Sequence, residues 1–309
     1  MSHRGVFIAF AVVAIGVADP WGAYASATSV GEGSGMIRVE GASLYYELAG
    51  AGPEVVLLHA GVADSRMWDE QFEYLAKSYS VVRFDFRGFG RSEVGGGAFT
   101  DFDDVAAVMD AVGFEKAVVI GLSFGARVAV DFVLVHPSRV RALILSGPMV
   151  GGFRGGEDLS RFSDAEAAAL ERGDLQQAVE INLRTWVDGV GRDSAAVKKT
   201  VRDRVAQMQR LAFEKEVPDD AVGNSLEPAA IGRLGEITVP VLVIVGTSDL
   251  PSVVSHAKWI VSEMSSATLA TLPAAHMTNM ECSDEFNALV IEFLSKTSGL
   301  DGETSGRVE

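Results

Sequence analysis

Cysteine is almost missing from this chain of 309 residues. Cys282 stands alone, so no internal disulfide can close and no cysteine-built zinc site can form, and cysteine usage leaves the redox compartment open. Histidine is nearly as scarce: the five residues form no pair, with each other or with carboxylates, at metal-ligand spacing. Positive charge is also short, with 26 Lys and Arg against 42 Asp and Glu and a formal net charge of -16. The pI near 4.7 belongs to a chain without the basic face that holds nucleic acid or an anionic membrane surface, and it disfavours polyanionic substrates. The apolar run Val6 to Ala18 is too short to cross a bilayer. No internal repeat occurs. Gly88-Phe89-Gly90 follows an apolar run but lacks the third glycine of a dinucleotide fingerprint. The expectation is a globular protein for a small-molecule substrate, with no metal, no cofactor, no nucleic-acid partner and no stable membrane insertion; its oligomeric state is open.

The length allows one large domain with an inserted lobe. Arg4, the apolar run after it and the small residues of Ala23-Tyr24-Ala25 have the form of a secretory leader over residues 1–27, followed by a Ser/Gly-rich linker over 28–35. That reading implies export. The competing reading starts the chain at Met36, directly before the first strand, and implies a cytoplasmic protein. Residues 298–309 are polar and Gly/Ser-rich and read as a disordered tail.

Between these ends, short apolar runs alternate with helical patterns. Ser43 to Leu48, Val55 to Leu58, Val81 to Phe84, Ala117 to Ile120 and Ala142 to Leu145 read as strands, and so do Val239 to Val245 and Ala267 to Leu272. Met67, Trp68, Phe72 and Leu75 fall near helical spacing, as do Val105, Val108, Met109 and Val112. This alternation predicts an α/β fold: a doubly wound, mostly parallel sheet with ligands at the carboxyl ends of its strands. From 150 to 230 the chain turns charged and helix-rich, with a capping-box pattern at Ser163-Asp164-Ala165-Glu166 and an apolar face at Leu175, Val179, Leu183 and Trp186. That region reads as an inserted helical cap between core segments 36–149 and 231–297.

Gly121-Leu122-Ser123-Phe124-Gly125 joins the strand Ala117 to Ile120 to a helical run and has the form of a nucleophile elbow. A serine hydroxyl is a weak nucleophile at neutral pH, so it needs an imidazole to take its proton and a carboxylate to orient that imidazole. Asp249 follows the strand ending at Val245, and His276 follows the strand ending at Leu272, which brings all three to one edge of the sheet. Asp249 also fits a turn or helix-capping role. Among the histidines, His3 lies in the leader, His136 at a helix end, His256 in a presumed surface helix and His59 in a structural turn, which leaves His276 as the base.

With Leu57-Leu58-His59-Ala60-Gly61 and Asp85-Phe86-Arg87-Gly88-Phe89-Gly90-Arg91-Ser92, the elbow and the Ser, Asp, His order carry a resemblance to capped serine hydrolases of the α/β-hydrolase fold. The chain is similar to the enol-lactonase, carboxylesterase and cofactor-free haloperoxidase group over roughly residues 40–149 and 232–296. The resemblance implies that the backbone N–H groups of Gly61 and Phe124 form an oxyanion hole. Ala60 departs from the usual glycine and leaves Val62 as an alternative donor. Relatives that open epoxides or remove halides carry aspartate at the elbow, and Ser123 argues against both. The expected chemistry is hydrolysis of a small, mainly apolar ester or lactone through an acyl-enzyme, with Met149, Phe153, Leu183 and Trp186 as candidate lining of the pocket. Carbon–carbon bond hydrolysis, perhydrolysis and a receptor-like protein with slow turnover are the alternatives.

Overall fold

The protein is represented by a computed structural model that describes residues 33–297. The leader over 1–27 and the tail over 298–309 therefore lie outside the described residues. Along the chain the strands are β1 (Gly33–Val39), β2 (Ala42–Ala49), β3 (Glu54–Leu58), β4 (Ser80–Phe84), β5 (Ala98–Phe99), β6 (Ala117–Leu122), β7 (Val140–Ser146), β8 (Val222–Gly223), β9 (Val241–Gly246) and β10 (Ala267–Leu272). The helices are α1 (Asp69–Leu75), α2 (Asp101–Val112), α3 (Phe124–Val135), α4 (Glu157–Glu171), α5 (Leu175–Asn182), α6 (Lys199–Phe213), α7 (Pro251–Glu263), α8 (Thr278–Glu281) and α9 (Ser283–Thr297).

Eight strands form one sheet in the order β1-β2-β4-β3-β6-β7-β9-β10, and β5 pairs with β8 in a separate short ladder. β2 runs antiparallel to both β1 and β4, while the sheet from β4 onward in that order is parallel. Every residue of β6 and β9 is buried, as are Val55 to Leu58 of β3. Burial on both faces is why these segments read as unbroken apolar runs, not as alternating ones. One helical layer contains α1 and α9, whose ends meet where Trp68 and Phe286 pack with ring centroids 5.9 Å apart. Another contains α2 and α3.

The strand order positions the site. From β3 the chain moves outward to β4, then returns to the far side of β3 as β6, so connections leave the carboxyl ends of β3 and β6 in opposite directions. A crevice opens at such a switch point, and ligands of parallel α/β sheets bind there. Here the two flanking loops carry Gly61 and Ser123. Leu58 of β3 and Gly121 of β6 are direct partners in the ladder, which fixes the two loops side by side.

Two expectations need correction. Residues 33–35, read as part of a linker, are the first three residues of β1 and pair with Leu48, Glu47 and Tyr46 of β2. Ladder pairing is made by the backbone, so a Gly/Ser composition does not prevent it. The capping-box pattern at Ser163 to Glu166 lies inside α4, which starts at Glu157 with Gly156 at its N-cap. Glu157 and Asp158 in the first turn complement the helix dipole, and Glu166 instead accepts a hydrogen bond from Asn182.

Candidate active site

Ser123 sits between β6 and α3 with φ 57° and ψ -111°, the one non-glycine residue of positive φ among the described residues. Such a backbone costs on the order of 1–3 kcal/mol and persists where its surroundings over-determine it. Here they do. A Cβ on Gly121 would come within 2.6 Å of the Ala126 nitrogen, and one on Gly125 within 2.7 Å of the His59 carbonyl oxygen. The missing side chains let α3 start directly against β3, and the Ser123 N–H donates to Ser146 O at 2.8 Å to hold the turn.

Two segments with backbone N–H groups meet at this turn. Phe124 is the first residue of α3, so no helical carbonyl lies four residues back to take its N–H. The turn after β3 is closed by Ala63 N–H donating to Ala60 O at 3.1 Å, which leaves Gly61 and Val62 as its two central residues. A Cβ on Gly61 would lie 3.5 Å from the Cβ of Phe124, so the two loops are in contact. His59 is fully buried: its Nδ1–H donates to Ala60 O at 2.8 Å and its Nε2 accepts the Phe86 N–H at 2.9 Å. Burial depresses its pKa, so this imidazole is a neutral brace for the turn.

Asp249 and His276 meet at the neighbouring strand ends. The His276 Nδ1–H donates to Asp249 Oδ2 at 2.7 Å, and Asp249 Oδ1 accepts the Leu250 N–H at 2.7 Å. Both residues are buried, and His276 Nε2 has no hydrogen-bond partner. With the proton fixed on Nδ1 by the carboxylate, Nε2 holds the basic lone pair. Thr278, two residues on, bonds hydroxyl to hydroxyl with Ser146 at 2.7 Å, which ties the His276 loop to the end of β7 beside Ser123. From the other side, Glu281 accepts the Ala275 N–H at 2.7 Å and pairs with Arg192 at 2.6 Å.

Ser123 and His276 line one cavity of about 620 Å³, with Gly61, Val62 and Phe124 also in its wall. Helices α4 to α6 supply much of the opposite wall. Of the residues expected to line it, Met149, Phe153 and Trp186 do so; Leu183 does not. Leu183 and Trp186 both belong to the π-helical turn Leu183–Asp188 after α5 and both pack in the hydrophobic core, but only Trp186, beyond the widened spacing, also reaches the cavity. Trp186 packs on His276 with ring centroids 4.6 Å apart and is itself met edge-on by Phe162 at 4.9 Å. Among the described residues no cluster of three His, Cys, Asp or Glu could hold a metal ion, and no helix is long and apolar enough to cross a membrane.

Residues 53–281 match the alpha/beta hydrolase fold family. The chain belongs to that family. Among the relatives of this alpha/beta hydrolase, a pimeloyl-[acyl-carrier protein] methyl ester esterase of Nitrosospira multiformis is 26% identical over 278 residues, 81% of this chain and 98% of that protein. A 2-hydroxy-6-oxononadienedioate/2-hydroxy-6-oxononatrienedioate hydrolase of Dechloromonas aromatica is 29% identical over 271 residues, 82% of this chain and 90% of that one. The crystal structure of an enol-lactonase from Burkholderia xenovorans superposes with a TM-score of 0.68 at 25% identity, covering 84% of this chain and all of that one. At this level the protein is a hydrolase.

Two features of this hydrolase's site were not read from the sequence. Gly147, at φ 49°, lies behind the imidazole: a Cβ there would stand 2.7 Å from His276 Cε1 and 2.8 Å from its Nδ1. The signal was the Ser146-Gly147-Pro148 break at the end of β7, which rules out a continuing strand or helix. His256 is the second. It is not on the surface but 4% exposed, its ring stacked on Phe153 with centroids 3.7 Å apart and on Trp259 at 5.2 Å. Through Phe153 it fixes the Gly-rich loop that lines the cavity. Helical periodicity could not reveal this, because the stacking partner Phe153 lies about a hundred residues upstream.

Burial pushes the His256 pKa down from 6.5 to about 4. Because its folded pKa lies below the unfolded one, stability is full above about pH 6.5 and is lost as pH falls toward 4, where the unfolded chain binds the extra proton. The full linkage slope is about 1.4 kcal/mol per pH unit, and screening reduces it. His256→Phe keeps the stack without the titration. Urea unfolding is therefore expected to show the wild type losing about 1–2 kcal/mol more than the variant between pH 6.5 and 5. Parallel curves for the two proteins would refute this account.

Proposed function

We propose that the protein is a serine hydrolase that cleaves a small, mainly apolar carboxylic ester or lactone through an acyl-enzyme on Ser123. The observation that carries this reading is the shared cavity: Ser123 in its strained turn and His276, whose Nε2 has no hydrogen-bond partner, line the same space, with Asp249 bonded to the imidazole.

His276 Nε2 takes the Ser123 proton as Oγ bonds to the substrate's carbonyl carbon, and Asp249 stabilises the resulting imidazolium. The carbonyl oxygen becomes an oxyanion held by the Phe124 N–H and by Gly61 N–H, or Val62 N–H in its place. Collapse breaks the bond to the alcohol oxygen, which receives the proton from Nε2. In a lactone that oxygen stays attached and the ring opens. Water then repeats the sequence: Nε2 removes its proton, its oxygen attacks the acyl carbon, and the acid leaves as Ser123 regains the proton. Helices α4 to α6 act as a cap over the acyl group, and the aromatic wall of Phe124, Phe153, Phe162 and Trp186 favours an apolar one.

Fluorophosphonate labelling with peptide mapping, run beside a panel of esters, lactones and diketones, tests the proposal. The expected result is modification at Ser123 and turnover of short esters or lactones. Labelling without turnover of any ester or lactone would favour a binding protein, and turnover confined to diketones would assign the machinery to carbon–carbon bonds.

A further inference from the structure

Gln209 lines the cavity, yet the proposed hydrolysis does not use it. It lies in the buried stripe of α6 with Val201, Val205, Met208 and Ala212, where packing alone calls for an aliphatic side chain. Instead a carboxamide stands there, 4% exposed, with its Oε1 buried and without a hydrogen-bond partner. Native proteins rarely leave such an atom unsatisfied unless another group completes it. Asn182 and Glu166 line the same cavity. Asn182 is 1% exposed, and its Nδ2 donates one hydrogen to Glu166 Oε1 at 2.5 Å and the other to Ala178 O at 3.0 Å. Two acceptors on that side fix the amide's orientation, so Nδ2 is committed and Oδ1 faces elsewhere as an acceptor. Burial raises the pKa of the Glu166 carboxyl, against the lowering effect of the Asn182 bond.

We propose that Gln209, Asn182 and Glu166 form a polar subsite for a hydroxyl group on the substrate, remote from the carbonyl that Ser123 attacks. That separation rests on the hydrolytic reading of Ser123. The three residues come from α6, α5 and α4, whereas Ser123 and His276 come from strand ends, so two different walls read the two ends of one molecule. The subsite offers mainly oxygen acceptors, from Gln209, Asn182 and Glu166, which suit a group that donates a hydrogen. A hydroxyl is cheaper to desolvate than an ammonium against the aromatic wall. A site built to bond a hydroxyl discriminates against the analogue lacking it far more strongly than an apolar pocket discriminates one methylene.

The test uses p-nitrophenyl hexanoate, octanoate and decanoate beside their ω-hydroxy counterparts, with wild type and Gln209→Leu. The wild type is expected to prefer the hydroxylated ester by at least about tenfold in kcat/KM at one chain length, and Gln209→Leu to bring that ratio close to one. The ratio is internal to each protein, so partial misfolding of a variant cancels. Gln209→Glu, which keeps the acceptors, is expected to retain the preference. A parallel titration calorimetry experiment measures binding of the same pairs to Ser123→Ala, with and without Gln209→Leu. A hydroxyl preference in binding that Gln209→Leu erases supports the subsite even if no ester is turned over, in which case only the hydrolytic reading fails. Equal binding and equal kcat/KM for both members of every pair, in protein with Gln209 intact, overturns the subsite.

Discussion

Ser123→Ala is expected to lower turnover of the best ester or lactone substrate by on the order of a millionfold, to the residual rate that donors and binding alone support. The folded state should be nearly untouched. The Ser123 side chain makes no capping bond to α3, alanine keeps the same Cβ, and the turn is held by the Ser123 backbone N–H and the contacts of Gly121 and Gly125. The thermal midpoint is therefore expected to stay within a few degrees of the wild type, because a surface-sized change of about 0.5 kcal/mol moves it little. Single-turnover and steady-state kinetics on the same preparation, beside a thermal melt, check both halves. Turnover within tenfold of the wild type would remove Ser123 from the reaction, whatever the elbow looks like.

Asp249→Asn is expected to cost about 10⁴-fold in kcat with only a small change in KM. The reason lies in which atoms face which. Oδ1 accepts the Leu250 N–H at 2.7 Å, so an asparagine keeps its oxygen there and turns its NH₂ toward His276 Nδ1. That nitrogen must then accept, which moves the imidazole proton to Nε2 and leaves no lone pair for the Ser123 proton. The side chain volumes match, and Gly147 still backs the ring, so the geometry survives while the tautomer is wrong. Nitrogen NMR of the His276 ring reads the tautomer directly. An Asp249→Asn variant whose His276 stays protonated on Nδ1 and whose kcat falls less than tenfold would overturn this role.

Much of this arrangement was legible along the chain. Buried parallel strands such as Val55 to Leu58 announce themselves as apolar runs, because both faces of the sheet are covered. Ser123, Asp249 and His276 stand just past strand ends, and every strand of a parallel sheet ends on the same side. The helical region between β7 and β9 was harder. Its pattern located the apolar faces, but the capping-box signal at Ser163 fell in mid-helix, and across the π-helical turn Trp186 reaches His276 and the cavity while Leu183, at the start of the turn, does not. Helical periodicity assumes a constant turn, and one widened turn shifts every residue after it.

The amino-acid sequence by itself determined the mostly parallel sheet, the alternation of its strands and helices along the chain, and the small set of polar residues delivered to one rim, because these follow from local patterns of burial and from chain direction. Tertiary structure alone decided which groups touch. The brace role of His59, the stacking of His256 on Phe153, the clearance at Gly147 and the unsatisfied carboxamide of Gln209 each depend on partners distant in the chain. Hydrogen bonds and ring contacts act over a few ångströms of space, and no spacing along a linear chain encodes that distance.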